Sequence, residues 1–178
     1  MRKALLLAGA TVVLAGVLAG ALWSFGARSP WFAFVVVWAP MMWLGTLSRL
    51  VRPRLPSAWH ELRGFEADGR VYEALGVGVA KWVLRRRPLA VFNPDLHLPA
   101  ERTPERLAHL EQRMRDAEAS HAILLVATLG IAGHAAARGW WAAAGWTLLF
   151  DAVLNGYPVM LQRYNRALLH RRFAVVAR

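Results

Sequence analysis

The sequence predicts an all-α membrane protein with about four transmembrane helices and a cytoplasmic amphipathic helical region between the second and third. Two observations favour this class: 57% of the 178 residues are hydrophobic, and two long segments near the N-terminus carry no charge. A helix of about 20 apolar residues crosses the ~30 Å core of a bilayer. The net charge of +11 comes from basic residues that flank the apolar segments, which favours a lipid surface over nucleic acid as the partner.

The first two transmembrane segments are predicted at residues 4–27 and 31–47. The first holds no charge across 24 residues and the second none across 17. Pro30 suits the first turn of the second helix because its fixed φ is already helical. Cleavage of the first segment as a signal peptide is the less favoured interpretation, since the apolar run is longer than a signal core.

The charged region that follows, 48–121, is predicted to be helical and cytoplasmic. Residues 48–120 contain 13 Lys or Arg and 10 Asp or Glu. Helical spacing of Tyr72, Leu75, Val79 and Trp82 predicts an amphipathic helix over 71–86, able to lie on the membrane surface. A basic stop at 48–54 begins this region, and residues 92–95 have the composition of a turn.

The last two transmembrane segments are predicted at 122–137 and 140–161. Thr103 has the composition of an N-cap, and the helix that it begins is expected to run unbroken into the third segment. A basic tail, 162–178, closes a single integral membrane domain over 1–178. The turns at Arg28 and Arg138 carry little charge, so the positive-inside rule places both termini and the middle region in the cytoplasm of a multi-pass cell-membrane protein.

Glu118 and His121 are the first candidates for catalysis. They lie three residues apart, on one face of the predicted helix, where it enters the membrane. Ionisable side chains are costly there and are frequently functional, which favours His121 as a general base or acid oriented by Glu118. A self-satisfied interfacial pair is the plain alternative. A di-iron site would need a second Glu-x-x-His sequence, which is absent, so no metal site is predicted.

The fourth segment carries polar residues that need partners in an apolar environment. Asp151, Asn155 and Gln162 recur at helical spacing, and Pro158 leaves the carbonyl near Leu154 without its helical donor. Catalysis and pairing between helices are both open explanations for these side chains.

Basic and aromatic residues follow directly, in the sequence Arg163-Tyr164-Asn165-Arg166. Arginine forks bind phosphate and carboxylate groups, although a basic anchor at the end of a membrane helix has the same composition. Glu73 and Lys81 lie about two helical turns apart, and spacing alone favours a pair that faces solvent or lipid headgroups. The chain has no cysteine, no phosphate-binding glycine loop and no Gly-x-Ser-x-Gly sequence.

The chain resembles the glycosyl-4,4'-diaponeurosporenoate acyltransferase family of bacterial membrane proteins. Three blocks carry the resemblance, at 65–73 with Lys81 and Trp82, at 117–118 with His121, and at 158–166 preceded by Asn155. The resemblance implies transfer of a fatty acyl group to a sugar hydroxyl of a glycosylated carotenoid or related glycolipid. Acyl-CoA would serve as co-substrate, without a further cofactor.

We hypothesise roles for individual residues in such a transfer. His121, Glu118 and Asn155 would be catalytic, with His121 as the general base, and Asn155 or Tyr164 would stabilise the oxyanion. Phosphates of the donor would bind to Arg163, Arg166 or Lys81, and Tyr164, Asn165 and Glu73 would complete the substrate-binding set. Glu118, His121, Asn155 and Arg163 are expected to share one site. A small transporter or binding protein for lipid or carotenoid, or a non-catalytic scaffold, is the alternative.

Overall fold

The computed structural model describes residues 1–47, 50, 53–86, 98–99 and 101–173, and these residues form helices and turns without a β-strand. This confirms the predicted all-helical class. The predicted turn at 92–95 and parts of the basic stop and of the tail lie outside the described residues. The helices in chain order are α1 (Arg2–Phe25), α2 (Pro30–Leu47), α3 (Ser57–His60), α4 (Arg70–Ala74), α5 (Val77–Leu84), α6 (Pro104–Ala137), α7 (Trp141–Asp151) and α8 (Tyr157–Arg172).

Three helices of the described chain, α1, α2 and α6, are long and apolar enough to cross a membrane. They correspond to the first three predicted segments. The predicted cap is confirmed, because the Arg106 backbone N–H donates to Thr103 Oγ1 at 3.3 Å. The unbroken run into the third segment is confirmed as well. With 34 residues, α6 is about 50 Å long, which exceeds the thickness of a bilayer core.

The fourth predicted segment, 140–161, is not one regular helix. Helix α7 has only 11 residues, and a π-helical turn, Ala152–Gly156, leads from it to α8. Pro158 has no N–H to donate to the Leu154 carbonyl, so the regular hydrogen-bond ladder cannot continue through this point. The presence of a fourth span stays a prediction.

The chain divides into two compact units. The first unit consists of Met1–Arg54 and Ser120–Gly156, and the second of Leu55–Ala119 and Tyr157–Arg178. The single domain predicted over 1–178 stays a prediction.

Aromatic side chains hold the helices of the first unit together. Phe34 of α2 packs edge-on against Phe150 of α7, with 5.4 Å between ring centroids. The guanidinium groups of Arg28 and Arg138 lie 5.1 and 5.7 Å from the Trp140 ring centroid. Both short turns of the first unit therefore meet at one tryptophan, as expected for turns on the same side of a membrane.

In the second unit, α8 packs on both the short helices and the start of α6. Its Leu161 and Tyr164 form one buried cluster with Tyr72 and Val77. Further along α8, Leu169 packs against Leu107, Leu110 and Met114 of α6. The described part of the charged middle region thus packs on α8 through an apolar core.

The helix predicted over 71–86 is wrong as a continuous element. Gly76 adopts φ +76°, a left-handed conformation that ends α4 and starts α5. Tyr157 Oη donates to the freed Leu75 carbonyl at 2.8 Å. Glycine is also required at Gly69, where φ is +76° and an added Cβ would lie 3.1 Å from the Tyr164 ring.

Candidate active site

The Arg163 side chain uses all five of its N–H donors inside the second unit. Nε and Nη2 form a bidentate pair with the Glu66 carboxylate, each at 2.7 Å, and Nη1 donates to Glu118 Oε1 at 2.7 Å. The remaining donors bind the backbone carbonyls of Trp59 and Glu61 at 2.8 and 3.0 Å. A donor phosphate at Arg163, as predicted, would have to displace one of these acceptors.

Glu118 is completely buried, and both of its oxygens are occupied. Oε1 accepts from Arg163, while Oε2 accepts from Arg166 Nη1 at 2.8 Å and lies 3.4 Å from His60 Nδ1. Arg166 Nη2 also donates to the His60 carbonyl. Two guanidinium groups thus surround a buried carboxylate, and their hydrogen bonds offset the cost of burying its charge.

Three more ionisable groups extend this arrangement along α6 and α8. Glu111 Oε1 accepts from Arg115 Nη2 at 2.6 Å and lies 3.0 Å from His170 Nε2 and 3.6 Å from Arg166 Nε. The arginine–glutamate network, as we call it, therefore contains three glutamates and three arginines, with balanced charge. Its members are Glu66, Glu111, Glu118, Arg115, Arg163 and Arg166.

Glu66 is the glutamate of the network that lies outside the apolar helices, and the pKa of its carboxyl is lowered. Burial by itself raises the pKa of its carboxyl, but donors from Arg163, Tyr72 and the Arg63 backbone outweigh it and lower the pKa to about 2. Burial and the negative Glu66 carboxylate raise the pKa of Tyr72 to about 12. The tyrosine therefore remains a proton donor to Glu66 throughout the physiological range.

We expect Glu66 to make the second unit acid-sensitive. Because the folded-state pKa is lowered from 4.5 to about 2, its contribution is complete above pH 4.5 and is lost as pH falls from 4.5 to 2. A shift of this size corresponds to up to about 3 kcal/mol. Thermal unfolding between pH 7 and pH 3 should show a flatter profile for Glu66→Gln than for wild type. Glu101→Gln, which removes an exposed carboxylate, is the control, and an unchanged profile for Glu66→Gln would contradict the expectation.

Glu73 and Lys81 are brought together by Tyr164. The Tyr164 hydroxyl donates to Glu73 Oε1 at 2.9 Å, and Lys81 Nζ lies 5.2 Å from the Tyr164 ring centroid. Burial and the nearby charge of Arg85 lower the pKa of Lys81. These residues therefore form a second polar patch of the second unit. Helix α8 connects this patch to the arginine–glutamate network, because Tyr164 follows Arg163 directly in the chain.

In the first unit, His121, Asn155 and Asp151 form a hydrogen-bonded chain. His121 Nδ1 lies 3.1 Å from Asn155 Oδ1, and Asn155 Nδ2 donates to Asp151 Oδ1 at 2.8 Å. Asn155 and Asp151 are fully buried. The hydrogen-bonded chain thus joins a histidine of α6, an amide of the π-helical turn and a carboxylate at the end of α7.

The structure pairs the predicted residues differently from the expectation. Glu118 was expected to orient His121, but its oxygens are occupied by Arg163 and Arg166, and Asn155 provides an orienting partner for the imidazole. His60 and Glu111 were not singled out from the sequence. Each is a lone residue in a charged stretch, and only the fold reveals its partner. Glu66 lay within the first resemblance block, which was a usable signal.

The di-iron alternative gains no support from the part of the chain that the structure describes. Among those residues, no group of three or more His, Asp or Glu side chains could hold a metal ion.

The helices are those of a membrane protein, and the His121–Asn155–Asp151 chain is an arrangement of the kind that enzymes use to move a proton. The family described as glycosyl-4,4'-diaponeurosporenoate acyltransferase matches residues 56–174, about two-thirds of the chain. The chain belongs to this family and is an acyltransferase, which confirms the resemblance. No curated protein and no solved structure matches the chain.

Proposed function

We propose that the protein transfers a fatty acyl group from an acyl-CoA-type thioester to a sugar hydroxyl of a glycosylated carotenoid or related glycolipid. The family name supports this acceptor, since it specifies a glycosyl-4,4'-diaponeurosporenoate. Three apolar helices support it as well, because both the acyl chain and the carotenoid are at home in a bilayer. The chemistry uses acyl-CoA as co-substrate and needs no further cofactor.

The observation that carries the proposal is the hydrogen bond between His121 and Asn155. Asn155 turns its N–H toward Asp151, so its carbonyl oxygen faces His121. An acceptor at this position favours the tautomer that carries its proton on Nδ1. In that tautomer Nε2 holds a lone pair and can accept a proton from a substrate hydroxyl.

The proposed reaction proceeds in two proton transfers around one acyl transfer. His121 Nε2 takes the proton of the sugar hydroxyl as its oxygen attacks the thioester carbonyl carbon. The new C–O bond forms, the C–S bond breaks, and the imidazolium returns the proton to the departing thiolate of CoA. Asn155 and Asp151 act as positioning residues, since they hold the imidazole in one tautomer and stabilise its charged form.

The predicted roles of Glu118, Arg163 and Arg166 change in this proposal. Their mutual contacts make them the internal brace of the second unit, which holds α6 and α8 together. We retain Lys81, Tyr164 and Glu73 as substrate-binding candidates because they lie outside the arginine–glutamate network, with Glu73 exposed and Lys81 half-buried.

We further propose a multi-pass protein of the cell membrane with both termini and residues 48–121 in the cytoplasm. Thirteen basic residues lie in 48–120 and five in 162–178, against single arginines at 28 and 138. Arg28 and Arg138 both lie near the Trp140 ring. This supports placing the two turns together on the side of the membrane opposite the cytoplasm.

The proposal is tested with the full-length protein in lipid nanodiscs. Palmitoyl-CoA and glycosyl-4,4'-diaponeurosporenoate are added, free CoA is measured with a thiol reagent, and lipids are analysed by mass spectrometry. We expect an acyl ester and one CoA released per ester, with no release above background when the glycosyl group is absent. Ester formation on a different glycolipid would correct the acceptor, and no transfer to any hydroxyl acceptor would overturn the proposal.

A further inference from the structure

A basic cavity of about 410 Å³ lies in the second unit, formed by residues of α5, α6 and α8 and the segment that precedes α6. Its volume falls in the range of small-molecule sites. One side is apolar, with Leu110, Met114 and Leu169 among the lining residues, and these belong to the buried core between α6 and α8. The cavity is thus formed by packed helices.

The polar side of the cavity carries four cations, Lys81, Arg85, Arg102 and Arg172. None of the described residues that line it is acidic. In the part of the chain that the structure describes, none of these four cations pairs with a carboxylate, whereas Arg115, Arg163 and Arg166 all do. Like charges repel, and burial together with the charge of Arg85 lowers the pKa of Lys81. An anion would relieve this repulsion.

Asn165 adds an independent sign of a missing ligand. It lines the cavity with only 5% of its surface exposed, and neither its Oδ1 nor its Nδ2 has a hydrogen-bond partner among the described residues. A buried amide without partners is costly, and a bound ligand or water is one explanation for such a group in a folded protein. The Asn165 side chain therefore offers a ligand one hydrogen-bond donor group, Nδ2, and one acceptor, Oδ1, in a cavity that has a basic and an apolar side.

We propose that this cavity binds a phosphate-bearing amphiphile, with the phosphate on Lys81, Arg85, Arg102 and Arg172 and the apolar part beside Leu110 and Met114. An acyl-CoA donor and an anionic phospholipid share this chemistry. The inference rests on the proposed function only in favouring acyl-CoA as the natural ligand. It also moves the phosphate site from Arg163, whose donors are all used, to cations that have no anionic partner among the described residues.

The test measures binding without turnover. Full-length protein in phosphatidylcholine nanodiscs is titrated with a thioether analogue of palmitoyl-CoA, which cannot transfer its acyl chain, and with CoA and palmitate separately. We expect the analogue to bind at least tenfold more tightly than either part, because only the analogue fills both sides. If phosphatidylglycerol binds at the cavity and the analogue does not, the result would support the phosphate site and assign it to a lipid headgroup.

Matched variants locate the site. Arg85→Gln with Arg102→Gln removes two exposed cavity charges and should weaken binding at least tenfold. Arg70→Gln with Arg106→Gln removes the same charge from exposed positions, 85% and 62% accessible, outside the cavity, and should leave binding unchanged. Equal affinities of the two double variants would overturn the proposal.

Asn165→Leu separates binding from folding. Because the amide has no partner among the described residues, the variant should unfold at the same or a higher temperature yet bind the analogue at least tenfold more weakly. Unchanged affinity would count against the inference.

His121→Ala should retain binding, so a failed transfer assay with intact binding refutes the proposed function alone. Normal transfer with unchanged KM for acyl-CoA in the Arg85 and Arg102 double variant refutes this inference alone.

Discussion

Replacing His121 by alanine should lower the rate of ester formation by about 10²–10⁴-fold, the usual contribution of a general base. The loss should appear in kcat, since the imidazole acts on the reacting hydroxyl and does not hold the donor. His121→Gln is the sharper variant, because its amide can still donate to Asn155 Oδ1 but cannot take up a proton. Both variants are compared with wild type at saturating palmitoyl-CoA in nanodiscs.

His134→Ala is the matched control for this prediction. His134 lies on the same helix, α6, and is exposed, so its removal should change neither rate nor unfolding temperature. Asn155→Leu should lower kcat by on the order of 10²-fold, because the imidazole then loses its orientation. Full activity of His121→Gln would remove the histidine from the mechanism.

Replacing Arg163 by methionine should destabilise the second unit by about 3–5 kcal/mol, the usual cost of removing one partner from a buried ion pair. The methionine fills much of the same space but leaves the Glu66 and Glu118 carboxylates without three hydrogen bonds from the guanidinium. Arg163→Lys should cost less but remain destabilising, since one ammonium cannot reproduce five donors in a planar fork. The measurement is thermal and denaturant unfolding in detergent.

Two comparisons isolate the pair from the general effect of a lost side chain. Arg171→Met removes an exposed arginine of the same helix that makes one hydrogen bond to the Asp68 carbonyl, and should change stability by less than about 1 kcal/mol. Glu66→Gln combined with Arg163→Met should cost less than the sum of the single changes, because the uncompensated charge is gone. Strict additivity would show that Arg163 and Glu66 do not interact energetically.

Much of the fold could be predicted because apolar length and capping act locally. The spans of α1 and α2 follow from uninterrupted apolar residues, and the start of α6 follows from Thr103, whose hydroxyl oxygen accepts a backbone N–H. The break at Gly76 could not be predicted from hydrophobic spacing alone. The periodic spacing of apolar residues continues past Gly76, but its left-handed backbone conformation ends the helix. The Leu75 carbonyl released by this break binds Tyr157, which is 82 residues away in the sequence.

The candidate residues of the site could be predicted, but their partners could not. The sequence places four polar residues at the edges of apolar helices: Glu118, His121, Asn155 and Arg163. Because polar side chains are costly near hydrocarbon, these residues can be identified as functional candidates without a structure. The sequence indicated Glu118 as the partner of His121 because helical spacing is the only distance that a sequence contains. Contacts such as Arg163 with Glu66, 97 residues apart, depend on how α8 packs.

By itself, the sequence determined that this chain is a basic, helical membrane protein of an acyltransferase family, since composition, apolar length and motif spacing are properties of the chain alone. Only the tertiary structure decided which basic side chains are paired with carboxylates. It neutralises Arg163 and Arg166 with buried glutamates and leaves the cations around the cavity without carboxylate partners among the described residues. The physical reason is that charge compensation depends on distances of a few ångströms through space, and these arise only when separate helices pack.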